Sequence, residues 1–309
     1  MTDPKEAAFK VPERIKGGQG KARREGGGAG RAVLQEEAMP TTTVRGLSVH
    51  YEVHGAGRPL VLLHNDGLDS GVWRPLVPHL ARSFQVIAYD RPGHGKSAVP
   101  PPEPPYTHEV GADDLAEFLR NLSLARPVLF GVSGGALAAT AFTLAHPDRI
   151  PALVLAEPPM LGLRHHHRID TGGFSAAGFI RTLQARGAEP AVREWLSTVF
   201  PPHRLDLLMR SRGGKSLTTR APHVLAQFLR AGEGFAPTPR LREIRCPVLL
   251  LTGEKTSALF KDVAAALARE IPQLAAVTVP GQDHANIIHP TPPLLDALQA
   301  FFAAHLDVA

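Results

Sequence analysis

The stretch that decides the fold is Val128-Leu-Phe-Gly-Val-Ser-Gly-Gly-Ala-Leu137, an apolar run, a glycine-rich turn and the start of a small-residue helix. Within it, Gly131-Val-Ser-Gly-Gly135 fits the pattern G-x-S-x-G, which needs a strand before it and a helix after it. Side chains at Gly131 and Gly135 would clash with neighbouring backbone, so a turn this tight needs glycine there. We expect the turn to lift the Ser133 hydroxyl above the edge of a sheet.

Apolar runs and helical patterns alternate on both sides of this turn. The predicted strands and helices are an antiparallel hairpin within 44–53, strands at 60–63, 84–89, 128–130, 153–155, 247–251 and 276–279, and helices at 110–122, 136–145, 262–269 and 293–305. This alternation indicates an α/β fold, a mainly parallel sheet with helices on both faces. Residues 158–240 show helical segments only, so we interpret them as a helical cap inserted between two core segments, 41–157 and 241–309.

The first 40 residues differ in character from the rest of the chain. They are rich in glycine and mixed charge and show no apolar periodicity. Such a segment cannot bury enough apolar surface to offset the entropy lost on ordering, so we predict a disordered N-terminal extension over 1–40. Ordered patterning begins after Met39, which leaves open that Met39 is the natural start.

Composition excludes several classes of protein. The chain has 309 residues, of which 43% are hydrophobic and 20% charged, values typical of a globular protein with a sizeable core. The single cysteine, Cys246, excludes a disulfide framework and a Cys-rich zinc site. The sequence contains neither a run of about 18 apolar residues nor a signal-peptide pattern, so we expect a cytoplasmic protein without a membrane partner.

Positive charge is concentrated in the middle of the chain. The formal net charge is +5, and residues 158–240 carry 12 basic and 5 acidic side chains, a net +7. The arginines are scattered and no nucleic-acid recognition signature appears, so we predict no nucleic-acid partner. The run Arg164-His-His-His-Arg168 could suggest a metal, but consecutive histidines seldom converge on one ion, and we interpret it as a loop of the cap.

Three further motifs accompany the Ser133 turn in chain order. They are Leu62-Leu-His-Asn-Asp-Gly67, Asp90-Arg-Pro-Gly-His-Gly-Lys-Ser97 and Pro280-Gly-Gln-Asp-His284. With the Ser133 turn, they make the chain from about Thr43 onward resemble the α/β-hydrolase superfamily. The resemblance implies a serine nucleophile, Ser133, a general base, His284, and an oxyanion hole formed by the backbone amides of Asp66 and Gly134. These roles require no cofactor and no metal.

Two positions depart from the pattern of the superfamily. Asn65 stands where the family usually has glycine, and asparagine tolerates left-handed backbone angles better than other non-glycine residues. After the strand that ends at Leu251, the chain reads Gly253-Glu-Lys-Thr256 where the family usually shows Gly-x-x-Asp. The usual acid of the catalytic triad is therefore missing from its place.

Glu157 is the candidate for that acid. In Leu153-Val-Leu-Ala-Glu157 it ends the strand that follows the nucleophile helix, and some members of the superfamily take their acid from this position. The chain order Ser133, Glu157, His284 is preserved. A carboxylate that caps the entrance to the cap is the alternative for Glu157, and the other candidates for the acid are Asp283, Glu254, a water-bridged Thr256 or none at all.

The sequence thus predicts a serine hydrolase with a helical cap that cleaves an ester or a related acyl bond of a small molecule through an acyl-enzyme. A lactonase, a carbon–carbon bond hydrolase and a perhydrolase use the same triad and stay open. The rival from another class is a ligand-binding member of the fold without catalysis. The missing acid at Thr256 favours this rival.

Overall fold

The computed structural model describes residues 40–101, 106–173, 175–200, 202–219, 222–235, 237 and 240–306. The predicted disordered extension at 1–40 lies outside these residues, apart from Pro40. None of the helices in the described part has the length and apolar character to cross a lipid bilayer.

Eight strands of the described residues form one sheet. They are β1 (Thr41–Val44), β2 (Leu47–His54), β3 (Arg58–Leu63), β4 (Phe84–Tyr89), β5 (Val128–Val132), β6 (Leu153–Ala156), β7 (Val248–Gly253) and β8 (Leu274–Val279). Their order across the sheet is β1-β2-β4-β3-β5-β6-β7-β8. Strand β2 runs antiparallel to β1 and β4, and all other neighbours are parallel. The predicted mainly parallel sheet is confirmed.

Ten α-helices lie in the described residues. They are α1 (Val77–Leu80), α2 (His108–Asn121), α3 (Gly134–Ala145), α4 (Ala176–Arg186), α5 (Ala188–Ser197), α6 (Pro202–Arg210), α7 (Arg212–Thr219), α8 (Pro222–Gly234), α9 (Ala258–Glu270) and α10 (Pro292–His305). Helices α4 to α8 come from the predicted cap and share an apolar cluster of their own. The cap boundaries at 158 and 240 stay a prediction.

Helices cover both faces of the sheet, and β3 illustrates why. Successive side chains of a strand point to opposite faces. Val61 and Leu63 accordingly pack in the apolar cluster that contains α2, α3 and α9, whereas Leu60 and Leu62 pack with α1 and α10. All four side chains are fully buried. A strand that is apolar at every position must be covered on both sides, which is the α/β fold that the sequence predicts.

The parallel strands bring six loops to one edge of the sheet. Loops at the carboxyl ends of parallel strands form the usual ligand crevice of an open α/β sheet. The residues that directly follow β3, β4, β5, β6, β7 and β8 begin, in that order, the loops of His64, Asp90, Ser133, Glu157, Thr256 and His284.

Candidate active site

Ser133 stands alone at the turn between β5 and α3. Strand β5 ends at Val132 and α3 begins at Gly134, so one residue reverses the chain. Its backbone angles are φ 53° and ψ −125°, a strained combination for a residue with a side chain. The Ser133 amide donates to the Ala156 carbonyl at 2.9 Å, which fixes the turn to the neighbouring strand β6.

Two glycines allow this turn because backbone passes close to both of them. A Cβ atom on Gly131 would lie 2.5 Å from the Gly135 carbonyl oxygen and 2.6 Å from the Ala136 Cα. A Cβ atom on Gly135 would collide with the Leu63 carbonyl at the end of β3. The clash expected from the sequence is thus visible at both positions.

Glu157 directly follows β6, and its side chain is completely buried. Its Oε1 accepts a hydrogen bond from the Gly253 amide at 2.8 Å, and its Oε2 lies 2.7 Å from His284 Nδ1. The backbone φ of Glu157 is 45°, in the left-handed region that side chains other than glycine rarely adopt. A strained backbone and two hydrogen bonds therefore aim this carboxylate at the imidazole.

The contact with Glu157 determines which ring nitrogen of His284 carries a proton. An ionised carboxylate can only accept hydrogen bonds, so Nδ1 carries a proton, and in the neutral imidazole Nε2 then keeps its lone pair. The ring stacks on Phe260 of α9 with centroids 4.1 Å apart and planes 10° apart, and 11% of the side chain is exposed. Sequence reasoning missed Phe260, since nothing distinguishes it from an ordinary core residue of α9.

The competing acids point elsewhere. Asp283 pairs with Arg204 at 3.3 Å, although it is the neighbour of His284 in the chain. The Glu254 Oε2 atom accepts from the Gly281 amide at 2.8 Å. Neither carboxylate contacts the imidazole of His284 within the described part of the chain.

Thr256 occupies the place where the superfamily usually has its acid. It is 6% exposed, and its hydroxyl has no hydrogen-bond partner among the described residues. The structure thus brings Glu157, and not the residue at 256, against His284.

Ser133 and His284 line one narrow cavity between the strand ends and the helices of the predicted cap. The space that water can occupy in it is about 50 Å³. Most of the other lining side chains are apolar: Leu137, Pro159, Leu161, Trp195, Val199, Phe228, Leu229, Leu259 and Phe260. A cavity walled in this way excludes most water, which strengthens electrostatic interactions inside it.

Asp66 contributes a carboxylate to the wall of this cavity. It lines the same cavity, and its carboxylate packs directly against Gly134, where it would collide with any Cβ atom. Its Oδ1 accepts from Arg91 Nη2 at 2.5 Å. Burial alone would raise the pKa of Asp66, but the Arg91 guanidinium holds it below its usual value. Arg91 and Asp66 are 25 residues apart in the chain, so no local sequence pattern indicates this pair.

Buried, neutral imidazoles surround Arg91. His64 donates from Nδ1 to the Asn65 carbonyl at 2.8 Å and accepts at Nε2 from the Arg91 amide at 3.0 Å, so it is neutral. Burial, assisted by Arg91, lowers the pKa of His64 well below its usual value. Burial likewise lowers the pKa of His94 and of His108 to about 4. Arg91 and Asp66 therefore carry the charge on this side of the cavity.

In the loop of His64, the left-handed backbone conformation occurs at Gly67 and not, as the sequence suggests, at Asn65. Asn65 is not among the residues with positive φ in the described chain, so it does not use the left-handed conformation. Gly67 does, with φ 75°. Because glycine adopts this conformation without a steric cost, the loop does not depend on glycine at position 65.

Helix α8 closes the cavity over this charged pair. The Phe228 ring lies 5.3 Å from the Arg91 guanidinium carbon, and its centroid is 4.6 Å from that of His94 and 4.7 Å from that of Tyr106. A cation over an aromatic face is attracted to it, more strongly where water is excluded. Phe228 therefore anchors α8 to the core beside Asp66.

No group of three or more His, Cys, Asp or Glu side chains in the described residues is placed to hold a metal ion. Within the run Arg164–Arg168, His167 pairs with Glu270 at 2.9 Å instead. Cys246 is buried, and burial raises the pKa of its thiol to about 11, so it is not an activated nucleophile.

Comparison with known proteins gives a match over most of the chain. A family model described as "alpha/beta hydrolase fold" matches residues 58–290. The putative carbamate hydrolase RutD of Azorhizobium caulinodans is 25% identical over 296 residues, which cover 87% of this chain and 100% of that protein.

Two further similarities are a shorter match in sequence and a likeness in fold. The uncharacterized hydrolase YraK of Bacillus subtilis is 30% identical over 129 residues, which cover 42% of this chain and about half of that protein, 48%. The crystal structure of the enol-lactonase from Burkholderia xenovorans LB400 superimposes with a TM-score of 0.70 at 23% identity and covers 85% of this chain and 100% of that one.

Proposed function

Because the chain belongs to the α/β hydrolase fold family, we propose that it cleaves an ester or related acyl bond of a small molecule at Ser133, through an acyl-enzyme. The predicted family and the predicted class, a hydrolase, are confirmed by the family match and the named relatives. The site residues and the reaction steps below are our proposal. The cytoplasmic location and the absence of a nucleic-acid partner stay predictions.

One observation carries this proposal. The carboxylate of Glu157 lies 2.7 Å from His284 Nδ1, and the imidazole so oriented lines the same cavity as Ser133. A nucleophile, a base and a group that orients the base define a triad by geometry, whatever their order in the chain. This contact fills the role that the missing acid at Thr256 leaves open, and it weakens the argument for a non-catalytic binder.

In the first half of the reaction, Ser133 Oγ attacks the acyl carbonyl carbon while His284 Nε2 takes the hydroxyl proton. Glu157 stabilises the imidazolium that forms and keeps its ring oriented. The carbonyl oxygen becomes an oxyanion, and we assign its two donors to the backbone amides of Asp66 and Gly134. When the intermediate collapses, the bond to the leaving group breaks and His284 gives its proton to that group.

In the second half, water attacks the acyl-enzyme with His284 again as the base. The bond between Ser133 Oγ and the acyl carbon breaks, Oγ regains its proton, and the acid product leaves. Two easier steps replace one difficult step, which is the gain of covalent catalysis.

The cavity limits the class of substrate. With about 50 Å³ of free space and mostly apolar walls, it suits a short acyl group. Esters and lactones meet this description, and so do carbamates, the class that the relative from Azorhizobium caulinodans is named for.

Covalent labelling tests the proposal directly. A fluorophosphonate should modify the wild-type protein at Ser133, and phenyl acetate should be hydrolysed. The Ser133→Ala variant should lose the label and at least about a thousandfold in kcat, because it lacks the attacking oxygen.

The matched control is Ser197→Ala, which removes an exposed hydroxyl that donates to the Glu194 carbonyl on α5. This variant should keep both label and turnover. A wild-type protein that binds phenyl acetate without hydrolysis or labelling would instead be the ligand-binding member of the fold.

A further inference from the structure

The polar groups of the cavity outside the triad are nearly all engaged with the protein itself. Glu233 lines the cavity, but its Oε1 contacts Arg164 Nη1 at 3.2 Å and its Oε2 accepts from the Ala176 amide at 2.9 Å. Thr198 also lines it and donates its hydroxyl to the Trp195 carbonyl at 2.7 Å. Each of these polar atoms therefore already has a partner among the described residues.

Asp66 is different because only one of its two carboxylate oxygens accepts a hydrogen bond from a described residue. Its Oδ1 accepts from Arg91, whereas no described residue donates a hydrogen bond to Oδ2. The residue lines the cavity and is 8% exposed. A carboxylate oxygen in a water-poor cavity is costly when it lacks a donor. The Asp66 carboxylate, which lines this cavity, thus keeps the capacity to accept a hydrogen bond from a substrate there.

The position of this oxygen relates it to the reacting carbonyl. The Asp66 carboxylate packs against the Cα of Gly134, the residue after Ser133. A group bonded to the carbonyl carbon that Ser133 attacks therefore lies beside the carboxylate, whereas the distant end of a leaving group does not.

The charge of the pair decides which kind of group fits. Asp66 and Arg91 together are neutral, and both side chains are less than one-tenth exposed. An ammonium group would lose its hydration without gaining a net negative partner, and an anionic group would be repelled by Oδ2. A neutral hydroxyl or N–H group has neither penalty and supplies the missing donor.

We propose that Asp66 is a specificity-determining residue which binds a neutral O–H or N–H donor attached next to the scissile carbonyl. The substrates favoured by this site are then 2-hydroxyacyl esters or carbamates rather than plain alkanoyl esters. The inference rests on the proposed function, since it needs hydrolysis at Ser133.

Two matched pairs of substrates test the inference. Phenyl glycolate and phenyl propanoate differ by a hydroxyl in place of a methyl group, and phenyl carbamate and phenyl acetate differ by an amino in place of a methyl group. The quantity to measure is the donor preference, the ratio of kcat/KM between the two members of a pair. Intrinsic reactivity differs within each pair, so the preference is compared between protein variants and not taken alone.

The informative variant is Asp66→Asn, which is nearly isosteric. The amide must turn its oxygen toward Arg91, so it presents an NH2 group to the cavity and opposes a donor on the substrate. The donor preference should fall at least about tenfold in one of the pairs, the size expected for a hydrogen bond to a charged group. Any disturbance of the oxyanion site affects both members of a pair and cancels in the ratio.

The control is Glu233→Gln, which changes the other carboxylate of the cavity and should leave the donor preference unchanged. If Asp66→Asn does not fold, Asp66→Leu/Arg91→Met removes both charges together and should lower the preference as well. A preference that changes less than threefold in both pairs, in a protein that fluorophosphonate still labels, overturns the inference and leaves the proposed function standing. Failure of wild-type labelling and turnover overturns both.

Discussion

The ends of two neighbouring strands, β6 and β7, differ in whether they place a carboxylate against His284. Strand β6 is followed by Glu157, whose buried carboxylate contacts both the Gly253 amide and His284. Beyond β7, in the place that the superfamily usually gives to the acid, stands Thr256 with an unpartnered hydroxyl. Because the two strands are parallel and paired, both ends lie at the same edge of the sheet.

In our proposal the acid of this chain comes from the end of β6, rather than from the position after β7 that the superfamily usually uses. The Gly253 amide at the end of β7 donates to the Glu157 carboxylate, so the strand that lacks an acid still helps to hold one. The side chain of Glu157 is one methylene group longer than that of the usual aspartate. Together with the strained backbone at φ 45°, this length lets the carboxylate reach from the end of β6 to His284. The same geometry makes the assignment testable from either strand.

The largest effect is expected at β6. In Glu157→Gln the amide oxygen can still accept from the Gly253 amide, so its NH2 group faces His284 Nδ1. The imidazole must then place its proton on Nε2 and can no longer take one from Ser133. We expect kcat to fall by about 10²–10⁴, since the equivalent change in a well-studied triad costs about 10⁴. Steady-state hydrolysis of phenyl acetate measures it.

The matched control is Glu254→Gln, where the contact with the Gly281 amide survives through the remaining oxygen. Its rate should stay within threefold of wild type. If kcat of Glu157→Gln fell by less than threefold, Glu157 would not be the acid of the triad. The proposed difference between β6 and β7 would then be wrong.

Most of the fold could be predicted from local patterns. Apolar runs and glycine turns located every parallel strand of the sheet and the turn at Ser133, because each depends on residues adjacent in the chain. That helices α4 to α8 are helical was predictable for the same reason.

The site was only partly predictable, because several of its contacts join residues that are distant in the chain. Ser133, Glu157 and His284 follow strand ends, so their proximity could be expected from the parallel sheet. The pairing of Asp66 with Arg91 and the stacking of Phe260 on His284 depend on side-chain packing that no local pattern encodes.

A smaller effect is expected from moving the acid to the other strand. Glu157→Ala clears the space beside His284, and Thr256→Asp adds a carboxylate at the end of β7. We expect the double variant to recover about tenfold in kcat over Glu157→Ala, because an ionised carboxylate beside an imidazolium favours its charged form. Glu157→Ala/Thr256→Asn is the uncharged control, and it should not recover. Equal rates in the Asp and Asn variants would show that β7 cannot supply the acid.

The smallest effect is expected when the Thr256 hydroxyl, which has no hydrogen-bond partner among the described residues, is removed. Thr256→Val keeps the shape of the side chain and takes away a buried group without a partner among the described residues. Removal of an unsatisfied polar group is nearly neutral or stabilising, so we expect the free energy of unfolding to stay within about 1 kcal/mol of wild type, with kcat within threefold. Urea denaturation and the same ester assay measure the two quantities.

Thr140→Val supplies the contrast for this last change. Thr140 is also buried, but its hydroxyl donates to the Ala136 carbonyl in α3 at 2.8 Å. Its loss should lower the free energy of unfolding by about 1 kcal/mol, the usual contribution of one hydrogen bond. If Thr256→Val instead slowed the reaction more than threefold, a water molecule bridging Thr256 to the imidazole would be the simplest physical reason. The end of β7 would then take part in catalysis alongside Glu157, and the division of roles between the two strands would be wrong.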